Sequence, residues 1–294
     1  MNIGGIYTDP YHSPTSGSSN IFGFNVPWFG GIRIIGSHNI SNDDDSDDDG
    51  NGGNDSNKFI TIGCDDGFHW WVLTGKFTNK SKGDIDMDFT PKAPGVGMLK
   101  CSYKPGALSF LEKEDTDIIG LQSTAVVDNI WSRLIAPPEY LRCGIHEHFK
   151  AEIKHAAVNN VNGLFFDSTI YNIAHANSES NSKSSSSSSL SFAGMRVISD
   201  RLGKIIRDEI CVVGTDDGIN WWYITGGNFT DKMHGKFSLN NDNHSSLSLG
   251  SGSGTCHNGI IEFDNGTIWQ KVALNKTDIH SWQKETTTST SSRI

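Results

Sequence analysis

The chain repeats one distinctive segment, and this duplication constrains its fold more than any other feature. Residues Cys64–Gly75 read CDDGFHWWVLTG, and residues Thr215–Gly226 read TDDGINWWYITG. The shared pattern DDGxxWWxxTG is too long to arise by chance. Because self-similarity at a long spacing indicates repeated structural units, the sequence predicts two domains of one fold in tandem.

Weaker matches extend the duplication in both directions, and they keep their order along the chain. They pair Gly5–Asp9 with Gly163–Asp167, Gly31–Ile35 with Gly194–Ile198, and Asn129–Arg133 with Thr267–Lys271. The spacing between matches changes where polar insertions fall, which is expected of surface loops. We therefore predict a first repeat at 1–135 with an acidic insertion at 41–57. A second repeat follows at 161–274 with a Ser-rich insertion at 177–190, and a disordered tail covers 275–294.

Within each repeat the apolar residues recur at every second position, which is the pattern of a half-buried strand. Gly83–Phe89 alternates without exception, with Ile85 and Met87 on one face and aspartates on the other. The sequence predicts an all-β protein with five or six short antiparallel strands per repeat, curled into a small barrel or sandwich. A helical connector is expected at 136–160, where apolar residues recur every fourth position after Pro137-Pro138.

Charge and composition limit which classes of partner and which cellular compartment we expect. The formal net charge is −10, whereas nucleic-acid affinity depends on Lys and Arg that neutralise phosphates; we therefore expect no nucleic-acid partner. No run approaches the length of a membrane span, and the N-terminus lacks the features of a signal peptide. The five cysteines are scattered and odd in number, which favours a reduced, intracellular setting.

Three segments carry a family resemblance. Asp9-Pro-Tyr-His12, Asp88-Phe-Thr-Pro-Lys-Ala-Pro94 and Asp264-Asn-Gly-Thr-Ile-Trp-Gln-Lys271 are near matches to elements written DPNH, DFSPKGGP and DGNxWxK. The chain thereby resembles a family of small β-domain proteins found in algal and other protist genomes, here in tandem. Two positions depart from that pattern: Tyr11 replaces an Asn, and Asn240-Asn241-Asp242 stands where the second DFSPK element is expected. The resemblance supports the repeat unit and implies no chemistry.

The repeated DDGxxWW element is the leading candidate for a ligand or partner site. Indoles stack on ligands and carboxylates accept hydrogen bonds, but the same residues also suit a tight hairpin with large core side chains. Adjacent strand residues point to opposite faces, so one Trp of each pair is expected inside and the other outside. The candidate residues are Asp65, Asp66, His69, Trp70, Trp71, Asp216, Asp217, Asn220, Trp221 and Trp222.

Other groups of residues give weaker evidence for a functional site than the DDGxxWW element does. Cys143, His146, His148 and His155 lie close together in the connector, but on a helix they do not share one face, and we predict no metal site. The run Asp43–Asp49 lacks the ligand pattern of a calcium loop. Motifs for nucleophilic, zinc-peptidase, P-loop or dinucleotide chemistry do not occur. We therefore predict no catalytic residues and no cofactor.

Two functions are compatible with these sequence features. The first is a non-enzymatic binding or assembly protein, scaffold-like or shell-like, whose two copies present similar surfaces to a partner protein or to further copies. The second is a small-molecule or carbohydrate binder, or an enzyme, with a barrel pocket rimmed by the DDGxxWW elements.

Overall fold

The structure, a computed structural model, describes residues 2–9, 31–37, 57–65, 70–93, 95–110, 130–134, 161–170, 192–202, 205–239, 252–257 and 259–271. These residues form sixteen β-strands and one helical turn at 168–170. The strands make two eight-stranded antiparallel barrels, one in each repeat. The all-β, two-domain prediction is therefore confirmed. The expected connector helix at 136–160 lies outside the described residues.

The first barrel is built from consecutive strands. They are β1 (Gly5–Thr8), β2 (Ile32–Ser37), β3 (Lys58–Cys64), β4 (Trp70–Asn79), β5 (Asp84–Asp88), β6 (Met98–Lys104), β7 (Ala107–Phe110) and β8 (Ile130–Arg133). Each strand pairs with the next, and β8 pairs with β1, where Tyr7 lies opposite Arg133. The ring of hydrogen bonds is closed, so no strand of this barrel is left as a free edge.

The second barrel repeats this order. Its strands are β9 (Gly163–Asp167), β10 (Met195–Leu202), β11 (Ile205–Thr215), β12 (Trp221–Asp231), β13 (Lys236–Leu239), β14 (Gly252–His257), β15 (Ile260–Phe263) and β16 (Ile268–Lys271). Pairing of β16 with β9, where Trp269 lies opposite Asp167, closes it. All the sequence matches between the repeats thus fall on equivalent strands.

Eight strands per repeat exceed the five or six expected from the sequence. The additional strands are short ones joined by tight turns. Gly106, with a φ of 90°, turns β6 into β7, and Gly259, with a φ of 75°, turns β14 into β15. Glycine adopts such left-handed angles without steric cost, and Lys104-Pro-Gly-Ala107 is a turn sequence that the alternation pattern alone did not reveal.

Large apolar side chains fill both barrel interiors. In the first barrel every strand contributes inward residues, including Phe59, Trp71, Leu108 and Trp131, all at most 4% exposed. The second barrel has an equivalent core. Ile85 and Met87 point inward, as the alternation of β5 predicted.

A third core lies between the barrels. Outward residues of β1–β4 pack against outward residues of β9–β12 in one buried cluster that includes Ile34, Trp70, Val197 and Trp221. This explains why these strands are apolar on both faces. Strand β4 contacts β10, its counterpart β12 contacts β2, and β3 contacts β11. Such reciprocal contacts are those of a two-fold interface, so the chain forms an internal pseudo-dimer.

Two equivalent positions, Gly36 in β2 and Ser199 in β10, lie where the barrels contact each other. The Ser199 hydroxyl donates a hydrogen bond of 3.0 Å to the carbonyl oxygen of Trp70. A Cβ atom added at Gly36 would lie 2.6 Å from the carbonyl oxygen of Trp222. The absence of a side chain at Gly36 therefore allows β2 to approach β12 closely.

Candidate functional site

A buried arginine lies inside the first barrel, surrounded by residues from the repeated sequence elements. On β2, Ile32 and Ile34 point outward to the other barrel, so alternation places Arg33 inside, where it is 1% exposed. Its Nη2 atom donates to Asp9 Oδ2 at 2.7 Å and to Asp65 Oδ1 at 2.6 Å. Its Nη1 atom donates to the carbonyl oxygens of Ile32 and Cys64 at 2.9 and 2.8 Å. One guanidinium thus ties β1, β2 and β3 together.

Two indole rings complete the surroundings of this arginine. The Arg33 Cζ atom is 4.8 Å from the ring centroid of Trp71 and 5.3 Å from that of Trp131. Gly63 lies between Arg33 and Trp71 in the strand register. A Cβ atom there would be 2.4 Å from the Trp71 ring. Glycine at this position therefore leaves room for the indole beside the guanidinium, a cation–π arrangement.

Lys92 covers this cluster from the β5–β6 connection. Its ammonium Nζ is 2.6 Å from Asp65 Oδ2 and 4.1 Å from the Trp71 ring centroid. Burial, and then the neighbouring Arg33 charge, lowers the pKa of Lys92. Two cations, Arg33 and Lys92, thus face two carboxylates, Asp9 and Asp65. We call these residues, with Trp71 and Trp131, the first arginine cluster.

The second barrel has the equivalent arrangement. Arg196 Nη2 contacts Asp216 Oδ1 and lies 3.7 Å from Asp167 Oδ2. Its Cζ atom is 4.9 Å from the Trp222 centroid and 5.6 Å from the Trp269 centroid. Gly214 lies between the two side chains, as Gly63 does in the first barrel. We call Arg196, Asp167, Asp216, Trp222 and Trp269 the second arginine cluster.

The two clusters differ in charge. Among the described residues Arg196 is the one cation that contacts Asp216 and Asp167, so two carboxylates face a single guanidinium. Burial raises the pKa of Asp216 more than the Arg196 charge lowers it. Asp167 Oδ2 is buried and has no hydrogen-bond partner in the described part of the chain.

Asp217, the second aspartate of the repeated motif, organises the β11–β12 turn. Its Oδ1 atom accepts hydrogen bonds from the backbone N–H groups of Ile219 and Asn220 at 2.8 and 2.7 Å. Its Oδ2 atom accepts one from the Asn220 side chain at 2.6 Å. Burial alone would raise the pKa of Asp217, but these hydrogen bonds lower it overall. Gly218 has the positive φ, 79°, that the tight turn requires.

Replacing Asp217 by alanine should therefore lower the free energy of unfolding by about 1 kcal/mol, the net contribution of hydrogen bonds in a partly exposed turn. A carboxylate whose pKa falls on folding stabilises the fold above its unfolded pKa and loses that effect as pH falls through its folded pKa. The deficit should be present at neutral pH and vanish in acid. Urea unfolding at neutral and at acidic pH measures this deficit, and Asp208→Ala, at an exposed position, is the control. An equal deficit at the two pH values would contradict this role of Asp217.

The structure distributes the predicted site residues over three places. Asp65, Asp216 and the second tryptophans, Trp71 and Trp222, belong to the arginine clusters. The first tryptophans, Trp70 and Trp221, are 4% and 1% exposed and lie in the core between the barrels. Asp217 and Asn220 form the turn, while Asp66 and His69 lie outside the described residues. One indole of each pair is inside its barrel and one outside, as predicted. Ligand binding by the motif stays a prediction.

Sequence reasoning overlooked Arg33 and Arg196, on which both clusters are centred. A signal existed, because each repeat carries an arginine at the same place in an otherwise apolar strand, Gly31-Ile-Arg33 and Gly194-Met-Arg196. A charge that recurs inside a buried strand implies a buried partner. Its partners are distant in sequence, so spacing alone did not identify them.

A groove of about 450 Å³ lies at the junction of the barrels. Strands β3 to β6 line it with residues that include Thr74, Asp88 and the half-exposed Met98. Tyr223 and Thr225 of β12 complete the lining. Because both repeats contribute, this concave surface exists only in the tandem chain.

Other chemistry in the described part of the chain is sparse. Burial raises the pKa of the Cys256 thiol to about 11, and burial likewise raises that of Cys101, which favours the protonated thiol over the thiolate. The described residues contain no group of three or more His, Cys, Asp or Glu placed to hold a metal. Within those ranges no helix is long and apolar enough to cross a membrane.

Comparison of the chain with protein-family models, with curated proteins and with solved structures gives no match.

Proposed function

We propose that this chain is a non-enzymatic binding or assembly protein, in which two similar barrels form one scaffold that binds a partner across their junction. The observation that carries the proposal is the junction groove. Tyr223 and Thr225 from one repeat and Thr74 and Met98 from the other line it, so duplication created a surface that a single repeat lacks.

The filled interiors of the barrels favour a binding surface on the outside of the protein. Eight-stranded barrels either fill with their own side chains or enclose one small ligand. Here the interiors contain Trp71 and Trp131 in one barrel and Trp222 and Trp269 in the other, all buried. Of the described side chains that could have rimmed a barrel pocket, Asp65 and Asp216 lie in the arginine clusters, and Asp217 and Asn220 form the turn. A partner is therefore expected on the outside.

The groove chemistry fits a protein segment. Along β4 and β5, Lys76 lies opposite Asp86 and Thr74 lies opposite Asp88, which gives polar groups of both signs. Met98 adds an apolar side chain that is 50% exposed. Flexible, polarizable methionine is common on surfaces that bind other proteins. We take a segment of a second copy of this chain as the partner.

Light scattering coupled to size exclusion tests this assembly. We expect a mass that rises with protein concentration, and Met98→Lys should shift the chain towards the monomer because a charge replaces the apolar contact. Met233→Lys is the matched control, since Met233 is 80% exposed and does not line the groove. A strict monomer at all concentrations, or equal effects of both variants, would overturn assembly through the groove.

A second candidate is carbohydrate or small-molecule binding in the same groove. Its volume, about 450 Å³, falls within the range of ligand pockets. The hydroxyls of Thr74 and Thr225 and the carboxylates of Asp86 and Asp88 are groups that bind sugar hydroxyls. Titration with a panel of mono- and oligosaccharides, followed by intrinsic fluorescence, tests it. Saturable binding that Asp88→Asn weakens would favour this candidate over assembly.

Membership in the small β-domain family is part of the proposal. Asp9, Lys92 and Trp269 come from the three elements that carry the resemblance, and each lies in an arginine cluster. This convergence supports the view that the elements are determinants of the fold rather than of a reaction.

A further inference from the structure

The first arginine cluster contains a bound ammonium group, supplied by the chain itself. The β5–β6 connection folds back through hydrogen bonds from the Lys92 and Ala93 N–H groups to the carbonyl oxygen of Phe89. Lys92 Nζ thereby reaches the Asp65 carboxylate at 2.6 Å and the Trp71 ring at 4.1 Å. A carboxylate beside an aromatic face is the combination that recognises ammonium ions.

The second barrel presents the same recognising groups. Asp216 corresponds to Asp65 and contacts Arg196. Trp222 corresponds to Trp71, and in each barrel one glycine separates the Trp from the arginine in the strand register. The side chain of Asp216 is 28% exposed, close to the 27% of Asp65. The carboxylate is therefore accessible from outside the barrel.

An equivalent of Lys92 is missing from the corresponding stretch of the second repeat. Between Lys236 and Lys271 the sequence contains neither Lys nor Arg, and this stretch includes the β13–β14 connection that corresponds to the segment carrying Lys92. The Lys271 ammonium lies instead over Phe165, at 5.6 Å from its centroid. Among the described residues Arg196 remains the one cation on Asp216 and Asp167.

We propose that the second arginine cluster binds a primary ammonium group from outside the chain, of the kind that a lysine side chain carries. Two buried or half-buried carboxylates facing one guanidinium leave one negative charge unbalanced, and such a charge is costly in a protein interior. Asp167, fully buried, has one carboxylate oxygen without a hydrogen-bond partner in the described ranges. An ammonium bound in the second cluster would give it the same charge balance that Lys92 gives the first cluster.

The ammonium has two possible sources that share this chemistry, a partner protein's lysine and a free alkylamine. The structure favours the lysine, because Lys92 shows that a lysine on a folded segment fits such a site. The site lies on a barrel and not in the junction groove. This inference and the proposed function therefore fail independently.

Isothermal titration of the full chain with Nα-acetyl-lysine amide, and separately with n-butylammonium, tests the inference by stoichiometry. We expect one site in the wild type and none in Asp216→Asn, or an affinity at least about tenfold weaker. Lys92→Ala vacates the first cluster and should give two sites. The double variant Lys92→Ala/Asp216→Asn should give one site, now in the first barrel. Nα-acetyl-norleucine amide, without the charge, is the ligand control and should not bind.

Thermal unfolding gives a second measurement that does not depend on Lys92→Ala folding. The amine should raise the unfolding temperature of the wild type and leave that of Asp216→Asn unchanged. Tighter binding of a lysine-containing peptide than of n-butylammonium would identify a protein as the source, and the reverse order a free amine. No amine binding to the wild type, or equal binding to Asp216→Asn, would overturn the site.

Discussion

Replacing Arg196 by methionine is expected to lower the free energy of unfolding by about 3–5 kcal/mol, the effect of removing one partner from a buried ion pair. Asp167 is fully buried and Asp216 is about three-quarters buried. In the described part of the chain no other cation contacts either carboxylate. Methionine keeps much of the arginine volume, so the loss reports the stranded charges rather than a cavity. Urea unfolding of the full chain measures it.

The first barrel provides a matched comparison. Arg33→Met removes the equivalent guanidinium, but Lys92 stays 2.6 Å from Asp65 and continues to balance the charge of that carboxylate. Its loss of stability should therefore be smaller than that of Arg196→Met. Lys236→Met, on an exposed position of β13, is the control and should stay within about 0.5 kcal/mol of the wild type. A loss below about 1 kcal/mol in both arginine variants would show that the arginine clusters do not stabilise their own barrels.

The duplication made much of this fold predictable from the sequence. Once Cys64–Gly75 and Thr215–Gly226 are aligned, each strand identified in one copy supports a strand in the other, and period-two alternation assigns its inner face. Closure of the barrels was less accessible, because pairing of β1 with β8 joins residues more than a hundred positions apart. A non-local pairing of this kind leaves no local pattern.

The placement of the first tryptophan of each pair shows another limit. Alternation predicted one outward Trp in each pair, which suggested a surface for partners, and the structure identifies the outward residues as Trp70 and Trp221. Alternation could not indicate that the partner surface is the other repeat, although the apolar residues on both faces of β2 and β3 hinted at it. Strands apolar on two faces are buried on two faces. Ile32 and Ile34 follow this rule.

The arginine clusters depend both on the repeated sequence elements and on the closure of the barrels. Their residues come from every repeated element, so each element was visible in the sequence. Their meeting point depends on barrel closure, which brings Trp131 of the last strand over Arg33 of the second. Residues such as Asp65 and Asp216 therefore resembled a ligand site in the sequence, while the structure shows them paired with an arginine of their own barrel.

Truncating Trp70 or Trp221 to alanine should cost about 3–5 kcal/mol each, as much as truncating the inward Trp71 or Trp222, because all four indoles are buried. Trp70 is 4% exposed and Trp221 1% exposed. The Trp221 ring also meets Phe192 edge to face, with centroids 6.0 Å apart. Equal losses would establish that the outward indoles function as core residues between the repeats.

The two kinds of variant should differ in cooperativity. Trp71→Ala leaves a cavity inside one barrel and keeps the core between the barrels intact, so unfolding should remain a single transition. The double variant Trp70→Ala/Trp221→Ala removes the two largest side chains of that shared core, and the barrels should then unfold in two separate steps. Urea denaturation followed by circular dichroism distinguishes these outcomes. If the double variant keeps one transition and loses less than about 1 kcal/mol, the outward indoles do not couple the repeats.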